Sequence, residues 1–378
     1  MKLAFWERQM GLDNCDVMIV GAGIVGLAAG LALRKHSDQT RITLIDRSPF
    51  SDGGSTRNAG FACFGSPREL LEDAKQQGEA AMRQTVERRL RGLALLTSEL
   101  GAGAIGLEAT GSLEVSLASD VHAHTTAAEI DWLNAFLGPI TGRKATFTTP
   151  PKSSLQGIDG ERVASVWHSP LEGMLQTSAL MLTLEQRAAQ AGLVIRRGLQ
   201  VRQMRVLADG RAELDIEPAF VPPGSQFTVT PVRTLLTING ATQLLVPDAD
   251  VARTPNLVLV TKPLRGPLPV CPIHAEGGYI YARPLPTGQM LVGGGRHCGK
   301  ASETEVERRL LDWLGEIVPV ARGAEVAMRW TGHLGIGSSR STRIEQVAPH
   351  VFGAWRLGGM GVATGMMVGK ELAHLSRK

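Results

Sequence analysis

The stretch VMIVGAGIVGLAAGLALRKH, residues 17–36, runs from a short apolar segment through a glycine turn into a long run of small and apolar residues. Its beginning, with the preceding residue, is DVMIV, residues 16–20, a short apolar run that is typical of a buried parallel strand. Gly21, Gly23 and Gly26 follow with the spacing Gly-x-Gly-x-x-Gly and open the amphipathic remainder of the stretch. The stretch therefore predicts a strand, a tight turn and a helix, in that order.

A second predicted strand, RITLID, follows the helix after a polar turn and ends at Asp46, twenty residues after Gly26. In such a unit Gly21 permits the sharp turn, Gly23 lets the backbone approach a pyrophosphate, and Gly26 lets helix and strand pack closely. The helix N-terminus offers free amides and a positive dipole to phosphates. Asp46 can accept hydrogen bonds from the adenosine ribose, and its charge disfavours a 2′-phosphate. The sequence thus predicts a dinucleotide site, which could hold FAD or NAD.

The composition is that of an ordinary globular chain. Of 378 residues, 43% are hydrophobic and 20% charged, which argues against disorder. The net charge of +4 is modest, and the basic residues form no long run with interleaved aromatics, so no nucleic-acid site is expected. The four cysteines show neither metal-ligand spacing nor a disulfide framework. No metal and no membrane span are predicted, and a cytoplasmic location is expected.

The loop that follows the second strand distinguishes the two cofactors. It contains GSTRNAGFACFGS, residues 54–66, with Phe61, Cys63 and Phe64 where a solvated loop would carry charge. A nicotinamide dehydrogenase would more often continue into another helix and strand. A loop of small residues with free amides suits the ribityl chain and ring of a flavin. The alternative is a turn that carries two core phenylalanines.

Four segments resemble a known family: VMIVGAGIVGLAAGLAL, TLIDR, GGSTRNAGF and the C-terminal WRLGGMGVATGMMVGKELA. They are similar to the FAD-dependent amine and amino-acid oxidoreductases of the D-amino acid oxidase family, which includes sarcosine oxidase, glycine oxidase and D-amino acid dehydrogenase. The resemblance covers nearly the whole chain and is weakest between about residues 85 and 165. It implies an α/β fold, with a Rossmann-like FAD-binding domain and a second α+β substrate domain built on an antiparallel sheet. The FAD-binding domain would comprise residues 1–85, 165–245 and 325–378, and the substrate domain residues 86–164 and 246–324.

The motif and the resemblance together predict the residues that bind FAD. The C-terminal glycine turn would press against the flavin, and the helix after it would point its N-terminus at the ring. Val201 could touch the adenine or be a plain buried valine. The predicted FAD-binding residues are Gly21, Gly23, Ile24, Val25, Gly26, Asp46, Arg47, Ser55, Thr56, Arg57, Asn58, Ala59, Gly60, Phe61, Val201, Asn239, Gly240, Gly335, Gly358, Gly359, Met360, Gly361, Val362 and Ala363.

Candidate substrate-binding residues lie in the segment YIYAR, where strand alternation puts Tyr279, Tyr281 and Arg283 on one face. Two phenols and a guanidinium form a credible anchor for a carboxylate. The resemblance implies a substrate-binding tyrosine in this strand and supports Tyr281 most. The alternative is a trio that faces solvent or an interface. Arg329 is a second candidate anchor, and its alternative is a surface or interdomain ion pair.

The resemblance implies an FAD-dependent oxidoreductase that removes a hydride from the carbon next to the amine of an amino acid or secondary amine. The product would be an imine, and the expected partner is a small substrate, an amine with a carboxylate. An FAD-dependent dehydrogenase of a 2-hydroxy acid or other small C–H donor, and a non-catalytic flavoprotein, remain alternatives. Leu291 stands where sarcosine oxidases have a lysine linked to oxygen activation, so oxidase and dehydrogenase both stay open. His274, seven residues before Tyr281, could reach the same pocket or be structural.

Helix signals elsewhere give three boundary predictions. Residues 66–102 predict one long helix with a proline near its start. Residues 127–140 predict a helix that is stopped by the pair Gly138 and Pro139. A further amphipathic helix is predicted to begin at Ser169 as N-cap and to stop at Gly192.

Overall fold

The computed structural model describes residues 4–119, 124–219, 225–299 and 301–378. The α-helices of these ranges are α1 (Phe5–Gln9), α2 (Ile24–Arg34), α3 (Pro67–Gln77), α4 (Glu79–Leu100), α5 (Ala127–Thr141), α6 (Thr177–Gln190), α7 (Glu303–Ile317) and α8 (Gly361–Leu375). The strands are β1 (Val17–Val20), β2 (Ile42–Asp46), β3 (Phe61–Ala62), β4 (Ser112–Leu117), β5 (Val163–Ser169), β6 (Gly173–Met174), β7 (Val194–Arg197), β8 (Leu199–Val206), β9 (Ala212–Pro218), β10 (Phe227–Val229), β11 (Arg233–Leu236), β12 (Ala252–Thr261), β13 (Ile273–Ala275), β14 (Ile280–Pro284), β15 (Met290–Gly294), β16 (Val326–Ile336), β17 (Arg343–Ala348) and β18 (Val351–Trp355). Within the same ranges, no helix is both long enough and apolar enough to cross a bilayer.

The glycine stretch forms the centre of a six-stranded sheet with the order β17-β18-β11-β1-β2-β7. Strand β1 pairs in parallel with β2 and β11, and β17 alone runs antiparallel to its neighbour. All four residues of β1 are buried, which explains its unbroken apolar sequence. Helices α2, α6 and α8 cover one face of the sheet, and the small antiparallel sheet β10-β9-β8 covers the other. This arrangement confirms the Rossmann-like half of the predicted fold.

A seven-stranded sheet with the order β16-β12-β15-β14-β13-β4-β5 forms the second half of the fold. Its pairs are antiparallel except for the parallel pair of β13 and β4. Helix α7 packs on one face through Leu310, Trp313 and Leu314. The predicted second unit on an antiparallel sheet is therefore confirmed as part of the α/β fold class. Strand β16 joins this sheet although residues 325–378 were assigned to the FAD-binding domain, and the exact domain boundaries stay a prediction.

Small residues let the helices approach each other closely. A Cβ on Gly369 of α8 would lie 2.5 Å from the carbonyl oxygen of Val25 in α2. A Cβ on Gly92 of α4 would overlap the carbonyl oxygen of Ala363 at the start of α8. Because Ala363 lies two residues after Gly361, the last residue of the C-terminal glycine turn, the packing of α4 helps to fix the position of that turn.

We expect the substitution Gly92→Ala to lower the free energy of unfolding by about 2 kcal/mol, because the new methyl group forces α4 away from α8. This cost outweighs the gain of about 1 kcal/mol in helix propensity. Denaturant unfolding measures the change. Gly103→Ala is the matched control, since its Cβ would meet no atom within 4 Å. Equal stability of the two variants would contradict the inferred tight packing.

All three helix predictions differ from the structure, the third of them only at its start. The long predicted helix is two helices, α3 and α4, which are separated by Gly78 with φ of 85°. Helix α5 continues through Pro139 to Thr141 and ends at Gly142, which is left-handed. Pro139 lies in the last turn, where its missing N–H removes one intrahelical hydrogen bond but does not stop the helix. Ser169 ends β5 and caps no helix.

The chain after Ser169 stays extended because it pairs with the loop that follows β2. Strand β6 is antiparallel to β3, and the amide of Leu175 donates to the carbonyl of Gly60 at 2.7 Å. Helix α6 therefore begins only at Thr177, with Gln176 as its N-cap. The predicted stop at Gly192 is confirmed, since α6 ends two residues earlier and Gly192 has φ of 72°. Tertiary pairing, which local sequence signals do not report, decided where this helix begins.

Candidate active site

A cavity of about 450 Å³ lies between the carboxyl ends of the parallel strands and one face of the seven-stranded sheet. Its first half is lined by the turns after β1, β2 and β11. Its second half is lined by side chains of β12, β13 and β14 and by the C-terminal glycine turn. The carboxyl edge of a parallel sheet is the usual place for a ligand in folds of this kind.

The glycine turn after β1 has the geometry of a phosphate cradle. Gly21 has φ of 107°, and a Cβ on Gly26 would overlap the carbonyl oxygen of Gly21. Helix α2 can therefore begin directly at the strand end only because position 26 carries no side chain. A Cβ on Gly23 would lie 2.7 Å from the Ser55 hydroxyl, so a side chain there would fill the cradle. The hydroxyl accepts from the amide of Ile24 at 3.0 Å.

Asp46 ends β2 beside this turn. One carboxylate oxygen accepts from the amide of Ala22 at 2.9 Å, and the other accepts from the amide of Ser48 at 3.1 Å. Both oxygens keep further lone pairs, and the side chain lies in the cavity wall together with Val201. The carboxylate is thus held rigidly at the position where ribose hydroxyls are bound in dinucleotide folds.

Polar side chains of the loop after β2 fix its conformation by hydrogen bonds to backbone groups of the same loop. The Asn58 amide donates to the carbonyls of Gly54 and Ser55 at 2.9 Å and accepts from the amide of Gly60 at 2.8 Å. The Thr56 hydroxyl donates to backbone carbonyls within the loop. Asn58 and Ser55 line the cavity, whereas Thr56 and Gly60 do not. These hydrogen bonds make the loop a defined wall.

The C-terminal glycine turn forms the opposite wall. The amide of Gly358 donates to the carbonyl of Gly335 at 3.2 Å, and Asn239 accepts from the amide of Leu357 at 3.3 Å. Helix α8 begins at Gly361, so its free amides and positive dipole end lie at the cavity. Most of the predicted FAD-binding residues line the cavity. The predicted residues outside its lining are Gly26, Thr56, Gly60 and Ala363.

Tyr281, a predicted substrate-binding residue, lines the second half of the cavity. Its hydroxyl accepts a hydrogen bond from the Asn256 amide at 2.7 Å, and its own proton remains available for donation. Burial raises the pKa of Tyr281 to about 12, so the phenol stays protonated at neutral pH. The Phe61 ring meets Tyr281 and His274 edge-on, at centroid distances of 5.5 and 4.9 Å. Asn256 escaped the sequence analysis, although it is a polar residue directly before the apolar run of residues 257–260.

Arg296 provides a guanidinium group without a partner. It follows β15, lines the cavity and lies over the Tyr279 ring at 4.2 Å from its centroid. It has no ion pair or hydrogen bond with any residue that the structure describes. Two other arginines of this region are engaged, since Arg89 pairs with Glu69 at 3.0 Å and Arg340 with Asp73 at 2.7 Å. The sequence signal for Arg296 was a single basic residue directly after three glycines.

Burial alone would raise the pKa of Glu69, which also lines the cavity. The guanidinium groups of Arg89, Arg340 and Arg296 outweigh burial and hold the pKa of this carboxyl below its ordinary value. The charge of Glu69 is thus opposed by three cations. Arg340 also pairs with Glu72 and Asp73, so Arg296 is the member of this group without an ion pair among the described residues, and its charge favours an anionic ligand group.

Two residues predicted to bind substrate lie outside the cavity lining. Arg283 is 4% exposed and donates through one nitrogen to the carbonyls of Ala59, Gly60 and Leu175 at 3.1, 3.2 and 2.7 Å. It braces the loop after β2 instead of presenting its charge to a ligand. Arg329 is more than half exposed and forms an ion pair with Glu307 at 2.9 Å, as its alternative interpretation had it. The structure therefore corrects both assignments.

In this fold, a dinucleotide-binding motif lines one side of the cavity and polar side chains of the seven-stranded sheet line the other. This arrangement defines a class of dinucleotide-dependent enzymes. A family model described as FAD dependent oxidoreductase, or DAO, matches residues 16–375. The chain therefore belongs to this family, and its cofactor is FAD. A curated relative, the probable oxidoreductase OrdL of Rhizobium meliloti (strain 1021), is 26% identical over 391 residues, which cover 97% of this chain and 84% of the relative.

Solved structures share the fold. Glycine oxidase from Bacillus cereus ATCC 14579 matches with a TM-score of 0.69 and 16% identity, over 96% of this chain and 95% of that one. Iminodiacetate oxidase from Chelativorans sp. BNC1 matches with a TM-score of 0.70 and 16% identity, with the same coverage of both chains. At these identities the likeness concerns the fold.

The residues of the first half fit FAD. The cradle that a Cβ on Gly23 would fill, the amides at the start of α2 and the fixed carboxylate of Asp46 match the pyrophosphate and ribose. The cavity continues past these groups to the glycine turn before α8 and to Tyr281. The lining therefore extends beyond the site of one nucleotide and includes a polar wall past it.

Proposed function

We propose that this protein oxidises a small amine that carries a carboxylate, an amino acid or a secondary amine, at the carbon next to nitrogen. The observation that supports this most is the unpaired guanidinium of Arg296 in the same cavity as the FAD-binding turns. An unpaired, half-buried cation in the same cavity as a protonated phenol matches the charge and the hydrogen-bonding capacity of a carboxylate.

FAD would bind along the first half of the cavity and extend to the C-terminal glycine turn, which lines the second half. Asp46 would hold the adenosine ribose, the amides after Gly21 the pyrophosphate, and the turn of residues 358–361 the ring. When bound, FAD supplies the redox chemistry by accepting a hydride from the substrate carbon. The positive end of α8 would favour the negative charge that this transfer brings to the ring.

The protein's own contribution would be to orient the substrate. Arg296 would bind the carboxylate, and the Tyr281 hydroxyl would donate to it or to the nitrogen. Asn256 and Phe61 would fix the phenol from two sides, since one donates to its oxygen and the other packs edge-on against its ring. Fixing both ends of a small molecule leaves one carbon exposed to the cofactor.

The named structural neighbours agree with this proposal at the level of substrate class. Glycine oxidase and iminodiacetate oxidase are both named for amines that carry carboxylates. Leu291, at the place of the lysine in sarcosine oxidases, is buried in an apolar cluster with Val258 and Val260. Both oxygen and another electron acceptor are compatible with the proposal.

The test begins with the visible spectrum of the purified protein before and after acid precipitation. Flavin bands near about 380 and 450 nm are expected, and release of colour to the supernatant would indicate non-covalent FAD. The holoprotein is then mixed anaerobically with glycine, iminodiacetate, lactate or glycolate. Bleaching by the amines supports the proposal. Bleaching by the hydroxy acids alone would replace it with a 2-hydroxy acid dehydrogenase, and no bleaching by any small donor would favour a non-catalytic flavoprotein.

We expect Tyr281→Phe to raise the apparent KM for the amine about tenfold, because one hydrogen bond to a charged group is lost. FAD occupancy should stay unchanged, since the phenol lies in the second half of the cavity. Steady-state kinetics and the flavin-to-protein absorbance ratio measure the two quantities. A substrate dependence identical to that of the parent protein would remove Tyr281 from the substrate site.

A further inference from the structure

A buried pair of titratable side chains lies behind the wall of the cavity. His274 of β13 lies directly across from Tyr281 of β14, lines the cavity and is 6% exposed. Its Nε2 atom lies 3.7 Å from Oε2 of Glu172, which is 2% exposed. This nitrogen has no hydrogen-bond partner among the described residues. Neither side chain has a role in the arrangement proposed above.

Three hydrogen bonds hold the carboxyl of Glu172 in place. One carboxyl oxygen accepts from the amides of Phe64 and Gly65 at 2.7 and 3.1 Å. The other accepts from the Ser112 hydroxyl at 2.5 Å and faces His274. Even so, burial raises the pKa of Glu172 to about 7, so the carboxyl exchanges a proton near neutral pH. Burial lowers the pKa of His274 to about 4, which keeps the imidazole neutral.

We propose that His274 and Glu172 form a proton-accepting pair that takes the ammonium proton from the amine substrate before oxidation. The proposal rests on the proposed function. An ammonium nitrogen has no lone pair, so its proton must leave before the adjacent carbon can give up a hydride and form an imine. The free amine is the reactive form, and a base in the cavity wall produces it where it is needed.

The proton transfer balances without any co-reactant. A substrate N–H bond breaks, and the proton passes to Nδ1 of His274, which makes no hydrogen bond with the described residues. The proton already on Nε2 then passes to Oε2 of Glu172, and the imidazole is neutral again. The distance of 3.7 Å has to shorten for the second step, as catalytic hydrogen bonds commonly do when substrate binds. His274 would touch the substrate, and Glu172 would act through it.

The groups around the pair do not offer an equal alternative base. The phenol of Tyr281 is protonated, and the thiol of Cys63 has its pKa raised by burial. The carboxyl of Glu69 is held ionised by three arginines. Glu114 pairs in register with His274 on the neighbouring strand, but its carboxyl accepts from the amide of Arg68 and the Thr125 hydroxyl and lies outside the cavity lining.

The first measurement follows the histidine rings of the holoprotein by NMR as a function of pH, without substrate. The resonance of His274 is assigned by its loss in His274→Asn. We expect it to shift with a midpoint near the pKa of about 7 of Glu172, because the ring senses the proton on its partner. In Glu172→Gln this transition should vanish, and in Glu114→Gln, the matched buried control, it should remain. A His274 resonance that is flat around neutral pH, or a transition that survives in Glu172→Gln, would overturn the pairing.

The second measurement is the rate of anaerobic flavin bleaching by glycine across the pH range. In the parent protein the rate should fall on the acid side with an apparent pKa near 7, because the pair is then already protonated. In Glu172→Gln this fall in rate, the acid limb of the profile, should move to lower pH. In His274→Asn the plateau rate should drop about 100-fold. A second part of the pH–rate profile depends on the pKa of the substrate's own ammonium group, and this part should be the same in every variant.

The two proposals fail in different ways. If no amine bleaches the flavin, the proposed function is refuted, and so is the role of the His274–Glu172 pair in it. If amines bleach the flavin but the acid limb is the same in the parent, Glu172→Gln and His274→Asn proteins, the pair alone is overturned. Should Glu172→Gln not fold, the titration of the parent protein and the rate of His274→Asn still decide the question.

Discussion

Arg296→Met is expected to raise the apparent KM for carboxylate-bearing amines about 100-fold, while FAD stays bound. A charge-assisted hydrogen bond from a guanidinium to a carboxylate contributes about 1.5–3 kcal/mol, and the upper end of this range corresponds to a factor of about 100. Methionine retains an unbranched stem that still packs against the Tyr279 ring, so the change removes the charge and little packing. Steady-state kinetics with glycine, together with the flavin absorbance ratio, measure the effect.

The matched control is Arg329→Met. Arg329 is equally cationic but is more than half exposed and paired with Glu307, so its removal should leave KM within about twofold of the parent value. An amine that lacks a carboxylate provides a second control, since its KM should not depend on Arg296. If Arg329→Met had the larger effect, or if Arg296→Met left KM unchanged, the anchor would have to be sought elsewhere.

The arginines show that local sequence patterns do not predict which side chains reach the cavity. Strand alternation correctly placed Tyr281 and Arg283 on one face of β14, yet only Tyr281 reaches the cavity. The guanidinium of Arg283 meets three carbonyls from segments more than 100 residues away along the chain, an arrangement that no local pattern reports. Arg296 follows a strand in a glycine-rich segment, where alternation gives no direction for the side chain.

The FAD half was easier to predict because its determinants are local. Within about thirty residues, the apolar strand, the glycine spacing and Asp46 report the same β-α-β unit, and each has a steric or electrostatic reason. The close approach of Gly26 to the carbonyl of Gly21 is a property of that segment alone. The predicted helix start at Ser169 was wrong for the opposite reason, since the pairing of β6 with the distant β3 keeps this segment extended. The single helix predicted over residues 66–102 was wrong because Gly78, with φ of 85°, divides it into α3 and α4.

Because the determinants of the FAD-binding site are local, the substitution Asp46→Ala is its most direct test. We expect the dissociation constant for FAD to rise about 100-fold, because the variant loses the charged acceptor for the ribose and frees two amides, those of Ala22 and Ser48, from their acceptor. The FAD-free proteins should unfold at similar temperatures, since the side chain is only half-buried at the end of β2. Fluorescence titration of the FAD-free protein measures binding, and thermal unfolding without FAD measures the fold.

Asp46→Asn separates the two contributions of this side chain to FAD binding. The amide oxygen can still accept from Ala22, but the charge and one acceptor are gone, so an intermediate loss of FAD affinity is expected. Asp131→Ala on the exposed face of α5 serves as a control for the loss of a carboxylate as such, and its FAD affinity should equal that of the parent. Full FAD occupancy in Asp46→Ala would mean that the glycine turn alone holds the dinucleotide, because its amides and helix dipole would then suffice without the ribose contact.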